Sequence, residues 1–281
     1  MKALIDRSGA LGRGLADIRV QYQVPDGFSA PVLAAAEEAV RRPPGDHADR
    51  TDRPFVTLDP ASSTDLDQAF AIERSGADLL LHYAIADVGW FVSDGDAMDM
   101  EAWKRGTSQY LPDGKASLYP PLLSEGAASL LPDGPRPAVI FTVRVDPEGC
   151  ARIDGVERAL IRSRAKLGYG TVKGSDLPPD FAEIAARIRR AEDRRGAARV
   201  DPPEQEVAPV GDGQYQLLFR PRLPCEEDNA ALSLATNLAV ADLLLAHRTG
   251  LFRVMPEPDA RAVRRLRQTA RAFGLDWPDM E

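Results

Sequence analysis

Three aspartates, Asp59, Asp65 and Asp67, fall within nine positions in the stretch Thr57-Leu58-Asp59-Pro60-Ala61-Ser62-Ser63-Thr64-Asp65-Leu66-Asp67-Gln68. Carboxylates this close repel one another unless a cation lies between them or water screens them. If Asp65 to Asp67 is extended, the two-residue period puts both carboxylates on one face. Asp59 joins them if Pro60-Ala61-Ser62-Ser63 turns back. An oxygen-only set of this kind, with Gln68 beside it, suits Mg²⁺ or Mn²⁺. Hard cations so held activate water and stabilise a departing oxygen in phosphodiester hydrolysis. A solvated polar turn uses the same residue types. Spacing leaves both readings open.

Other chemistries have less to work with. The three histidines, His47, His82 and His247, lie far apart, and Cys150 and Cys225 are the only two cysteines. That leaves no zinc ligand set and no recognisable Ser-His-Asp or Cys-His arrangement. Neither the dinucleotide fingerprint nor the Walker pattern occurs. Asp65-Leu66-Asp67 is followed by Ala69 where an Asp-x-Asp-x-Thr phosphatase has threonine. The glycine and distal glutamate of an EF-hand are also missing.

The elements that must hold the acids are read from periodicity and punctuation. Residues 1–28 are glycine-rich with little periodicity, which predicts an extended or loosely packed arm. Ser29 to Arg42 has a capping serine, an early proline and terminal arginines, the marks of a helix. Strands are predicted over 54–58, 68–73 and 79–86, the last two joined by a hairpin-type connection. A helix comes next over about 97–104, with Gly106 beyond its end. Pro112-Asp113-Gly114 and Pro132-Asp133-Gly134 mark turns around a loop-rich segment, before two more strands over 138–145 and 152–162. Beyond them the chain reads as mainly helical. A charged, solvated helix is expected over 181–195, a strand over 214–219, a buried all-apolar helix over 229–248, and an arginine-rich amphipathic helix over 258–273. Strands succeeded by helices predict a mixed α/β (α+β) fold rather than a doubly wound array.

With 281 residues, 44% hydrophobic and 28% charged, the chain can bury a substantial core. Its net charge of −8 argues against a generic basic nucleic-acid binder, but not against an enzyme whose acids carry their own metal. Unpatterned cysteines, no apolar leader and no run of membrane-spanning length lead to the expectation of a cytoplasmic protein without membrane contact.

The wider context is more specific. Phe55-Val56-Thr57-Leu58-Asp59-Pro60, Asp65-Leu66-Asp67, Ala84-Ile85-Ala86-Asp87-Val88 and Phe91-Val92 resemble the catalytic domain of the ribonuclease II and ribonuclease R family. The likeness continues through Glu101-Ala102, Arg105-Gly106-Thr107-Ser108-Gln109-Tyr110-Leu111-Pro112 and Pro120-Pro121-Leu122-Leu123-Ser124-Glu125. It extends to Ala128-Ser129-Leu130, Arg136-Pro137-Ala138 and Arg164-Ala165-Lys166-Leu167-Gly168-Tyr169. The resemblance implies residues 1–50 as an arm and helix, and 51–281 as a ribonuclease II-type catalytic domain with central antiparallel or mixed strands and surrounding helices. It implies a Mg²⁺-dependent 3′→5′ exoribonuclease that hydrolyses single-stranded RNA to nucleoside 5′-monophosphates. Asp59, Asp65 and Asp67, with Gln68, would bind the metal, and Asp67 would be tied most directly to catalysis. Tyr110 would stack on a terminal base, and Arg105 is a candidate for phosphate contact.

Two departures accompany the likeness. Gln68 stands where the family's pattern has a fourth aspartate, which removes one negative charge from the site. The family's Thr-Ser-Pro-x-Arg-Arg-Tyr-type segment has no match before Glu281, so a missing C-terminal part or a second chain is expected to complete the site. The alternative is a catalytically impaired RNA-binding or regulatory protein on the same scaffold.

Overall fold

The computed structural model describes residues 8–197, 204–211, 214–252, 254 and 256–277. Its first helix, α1 (Ala10–Gln21), lies in the stretch expected to be an extended arm. Leu11, Leu15 and Ile18 recur at helical spacing there, a pattern hidden by Gly12 and Gly14, and Leu15 is buried. Residues 1–7 of that expected arm lie outside the described residues. Next comes α2 (Ala30–Arg41), with Ser29 at its start and Pro31 in the first turn, as expected.

The chain then forms β1 (Ala48–Asp49), β2 (Phe55–Asp59), β3 (Gln68–Ser75) and β4 (Asp78–Ala86). Gly76 turns the β3–β4 hairpin at φ 65°, a conformation that favours glycine. A short α3 (Val88–Phe91) precedes α4 (Ala97–Arg105), whose cap Asp96 accepts from the Asp99 backbone N–H at 2.8 Å. After α4 come β5 (Gln109–Leu111), β6 (Gly114–Ala116), a single π turn at Leu123–Ala127, β7 (Arg136–Val145), β8 (Ala151–Ile161) and β9 (Ser163–Gly168). The remainder is α5 (Phe181–Arg194), β10 (Glu204–Gly211), β11 (Gln214–Arg220), α6 (Pro224–Ala246) and α7 (Ala260–Ala272).

Seven strands make one mixed sheet in the order β1-β8-β7-β4-β3-β2-β9. The β1–β8 and β2–β9 pairs are parallel, and the other neighbours are antiparallel. On one face Val56, Leu58, Phe70, Leu79, Leu81 and Tyr83 pack with Phe181, Ile184 and Ile188 of α5 and Ala231, Leu232 and Ala235 of α6. On the other, Phe55, Leu66, Ala69, Ala84, Ile140 and Ile161 close over Leu130. Each large side chain buried this way contributes roughly 1.5–3 kcal/mol. A third cluster joins α2 to α4 through Val32, Ala36, Met98 and Leu123.

Two expected helices differ in character. The dense charge of α5 predicts a solvated helix, yet Phe181, Ile184, Ala185, Ile188 and Ala191 form a buried stripe. Arg187, one of the charges of that helix, is buried too and donates to the Ala77 carbonyl at 2.9 Å. The expected all-buried helix is α6, where one stripe, Ala231, Leu232, Ala235 and Ala239, is buried while Leu234 and Leu238 remain exposed. That buried stripe packs into the cluster formed with the sheet face and α5. With 23 residues and a mean hydropathy of 1.4 in its most apolar window, α6 is long and apolar enough to cross a membrane, contrary to the sequence expectation.

Contacts divide the chain into two compact units, Met1–Asp242 and Leu243–Glu281. The first holds the sheet and the acids. The second contains α7, capped by Asp259, which accepts from the Arg261 backbone N–H at 3.1 Å, and none of α7's residues is buried.

Candidate active site

Asp59 ends β2, where the backbone hands over from sheet to loop. Its carbonyl accepts from the Tyr169 backbone N–H at 3.1 Å, so the parallel partner β9 fixes the strand end. The chain then turns, with the Ser63 N–H donating to the Pro60 carbonyl at 2.9 Å. Ser129, almost fully buried, pins the segment from Thr64 to Leu66: its hydroxyl donates to the Thr64 carbonyl at 2.7 Å and accepts from the Leu66 N–H at 3.0 Å. The Leu130 N–H closes on the Leu66 carbonyl at 2.8 Å. Leu66 is thereby driven wholly into the core, and Asp65 and Asp67, one residue to either side, remain accessible. The period of two read from the sequence operates here without a strand.

The three carboxyls feel one another. Burial, then the charges of Asp67 and Asp65, push Asp59 up to about 6, opposed by Lys166. Its Oδ2 is buried with no hydrogen-bond partner. Asp67 is exposed at its surface, yet desolvation and the charge of Asp65 still raise it against the pull of its own backbone N–H. Asp65 behaves differently. Burial alone would raise it, but hydrogen bonds from Tyr110 and Lys115 outweigh burial and hold it below the usual carboxylate range.

Those two donors come from the β5–β6 hairpin, where Tyr110 and Lys115 sit opposite one another in register. The Tyr110 hydroxyl donates to Asp65 Oδ2 at 2.8 Å while its ring stays 69% exposed. Lys115 Nζ lies 3.1 Å from the same oxygen and 2.9 Å from Glu125 Oε1. Glu125, on the π turn, also accepts from the Thr64 hydroxyl at 2.7 Å. The hairpin's turn is held from outside, because Arg19 of α1 grips Asp113 with two bonds of 2.8 and 3.1 Å.

The structure therefore brings Asp59, Asp65, Asp67 and Tyr110 together. Gln68 lies alongside, its Oε1 accepting from the buried Tyr83 hydroxyl. Arg105 is elsewhere. Its side chain is 3% exposed, and its guanidinium donates to Glu101 at 2.9 Å, to the Ser117 carbonyl at 3.1 Å and to the Gly27 carbonyl, over the Phe28 ring. Its donors face inward, so the expected phosphate contact is replaced by a structural clamp. Lys115, Glu125 and Tyr83 were missed, since isolated residues of those types carry no local pattern. Behind the site, the Asn229 amide donates to the Tyr169 hydroxyl at 2.8 Å and to the Leu58 carbonyl at 3.2 Å.

Among the described residues no three His, Cys, Asp or Glu side chains converge into a ready-made metal cage. Two mutually repelling carboxyls and an unpartnered buried oxygen still match Mg²⁺, which keeps several waters and uses one or two protein carboxylates with substrate phosphate.

Known proteins share this fold and family. Ribonuclease R of Thermotoga maritima is 29% identical over 246 residues, covering 81% of this chain and 34% of that protein. A protein of Arabidopsis thaliana named inactive exonuclease DIS3L2 is 28% identical, covering 92% of this chain and 26% of its own length. The chain thus spans about a third or less of the curated relatives it matches. The structure of Mycoplasma genitalium RNase R in complex with ribose-methylated single-stranded RNA superposes with a TM-score of 0.83 at 23% identity, covering 95% of this chain and 45% of that one. The RNB domain family matches residues 47–279, and the chain belongs to that family.

Proposed function

We propose that this chain carries the metal-binding acids of a 3′→5′ exoribonuclease site, hydrolysing single-stranded RNA to nucleoside 5′-monophosphates. The observation that carries the reading is the exposed Tyr110 ring tethered by its hydroxyl to Asp65, beside the mutually repelling Asp59 and Asp67. An exposed aromatic next to an acid cluster suits a terminal base stacked while its phosphate meets the acids. Relatives named ribonuclease R and a similar fold solved with single-stranded RNA support the same substrate class.

Asp59 and Asp67 would hold Mg²⁺ or Mn²⁺, with Asp65 completing the set. The bound ion would activate water and neutralise charge on the departing oxygen. Asp67, open to solvent, is assigned the carboxylate next to the reacting phosphate. Gln68, anchored by Tyr83, contributes a neutral amide where an acid would add attraction for the ion. Tyr110 positions the RNA end. The free cysteines Cys150 and Cys225 support a reducing, cytoplasmic setting.

A second reading, an RNA-binding protein with impaired hydrolysis, is favoured by Lys115, which already neutralises Asp65, and by the neutral Gln68. Incubating single-stranded RNA with Mg²⁺ or Mn²⁺ and the protein, beside Asp67→Asn, separates the two. Hydrolysis by the wild type alone supports the enzyme. RNA retained intact by both supports the second reading.

A further inference from the structure

Resting on the metal-binding reading above, we propose that Lys115 is the built-in counter-ion of the acid cluster, competing with the divalent ion for Asp65 Oδ2. Tyr110 and Lys115 face each other across the hairpin, and both reach that one oxygen, at 2.8 and 3.1 Å. A lone pair that accepts from an ammonium is not available to a metal, and a fixed ammonium repels an arriving dication. The pair is half-buried, with Lys115 25% and Asp65 24% exposed, so solvent screens it only in part.

Glu125 makes the competition reversible. It lies 2.9 Å from the same Nζ and is itself steadied by Thr64, so Lys115 keeps a carboxylate partner when it releases Asp65. In the metal-free protein Lys115 lowers the repulsion among Asp59, Asp65 and Asp67. Once an ion binds, it shifts its weight to Glu125. Lys115 is therefore a positioning residue that acts through Asp65, and Glu125 is its second seat.

The test is Mn²⁺ affinity in the absence of RNA, read by electron paramagnetic resonance of the free ion. Circular dichroism checks that each variant is folded. Lys115→Met removes the competitor and tightens Mn²⁺ binding by roughly fivefold, the weight of a half-buried ion pair. Glu125→Gln confines Lys115 to Asp65 and weakens binding by a similar factor. A structural role for the hairpin alone moves neither value in these opposite directions. Lys115→Met binding unchanged or weaker, with the wild type still binding, overturns this proposal and leaves the metal site standing. If Lys115→Met does not fold, Glu125→Gln decides alone: unchanged or tighter binding overturns the proposal. No Mn²⁺ bound by the wild type or either variant removes both this proposal and the metal site.

Discussion

Asp59 is the residue at which the metal-free fold carries a penalty. Its carboxyl titrates near 6 because burial and two neighbouring acids disfavour its charge. The folded value lies above the ordinary 3.8, so the protein loses stability as pH rises through that interval. Asp59→Asn removes the charge. Without added metal, the variant is expected to be more stable than wild type at pH 7 by about 1–2 kcal/mol. That gain vanishes at pH 4, where the wild-type group is protonated, and Mn²⁺ reverses the order at pH 7. Urea denaturation at both pH values checks it. A gain of equal size at pH 4 refutes the electrostatic origin. Tyr110 gives the matching expectation for RNA. Tyr110→Ala weakens binding of single-stranded RNA by about 1–3 kcal/mol, the worth of one stacked base, with the circular dichroism spectrum unaltered. Unchanged affinity by fluorescence anisotropy removes Tyr110 from the RNA path. At this scale the sequence is legible where residues form local patterns. The acids stand close in sequence, and Leu66 between Asp65 and Asp67 signals their shared accessibility. Lys115 lies 50 positions from Asp65 and Glu125 60, so their meeting depends on a hairpin register and a π turn that no local pattern encodes.

Elements rather than residues decide where the site sits. The α4 helix and the hairpin after it are welded to the segment before α2 by Arg105, which joins Glu101, Ser117 and Gly27. Arg105→Ala is expected to lower the unfolding free energy by about 2–4 kcal/mol, because it leaves buried acceptors unpaired. Its RNA affinity below the melting transition is expected to stay within about twofold of wild type, since the side chain is 3% exposed. A fall in affinity without a fall in stability would return Arg105 to the RNA interface. Local signals located α2, the β3–β4 hairpin, and α4 with its Gly106 stop. They did not locate β9, whose strand character comes from parallel pairing with β2 more than a hundred residues earlier. Nor did they locate α1, where two glycines broke the apparent pattern although Leu11, Leu15 and Ile18 kept a helical face. For α5, counting charge overlooked the apolar stripe that packs on the sheet.

At the scale of the fold, the mixed sheet places the end of β2 beside the loop ending in Asp67, the separate β5–β6 hairpin reaches that loop through Tyr110 and Lys115, and α5 and the first part of α6 cover one sheet face. With a net charge of −8, the proposed RNA binding would depend on local chemistry, namely one exposed aromatic and a metal among the acids, rather than on a basic surface. The fold class was readable because runs of strands and runs of helices follow one another without a regular βαβ alternation. The sheet order was not, since it rests on pairings between distant segments. The most direct test uses a single-stranded RNA labelled at its 5′ end, incubated with the chain and Mn²⁺ beside Asp67→Asn. A ladder of progressively shorter labelled fragments from the wild type, and intact RNA from the variant, is the expected result. Labelled mononucleotide released at once, internal cuts without a ladder, or equal shortening by both proteins would overturn the assignment of Asp67 and its neighbours to 3′→5′ hydrolysis.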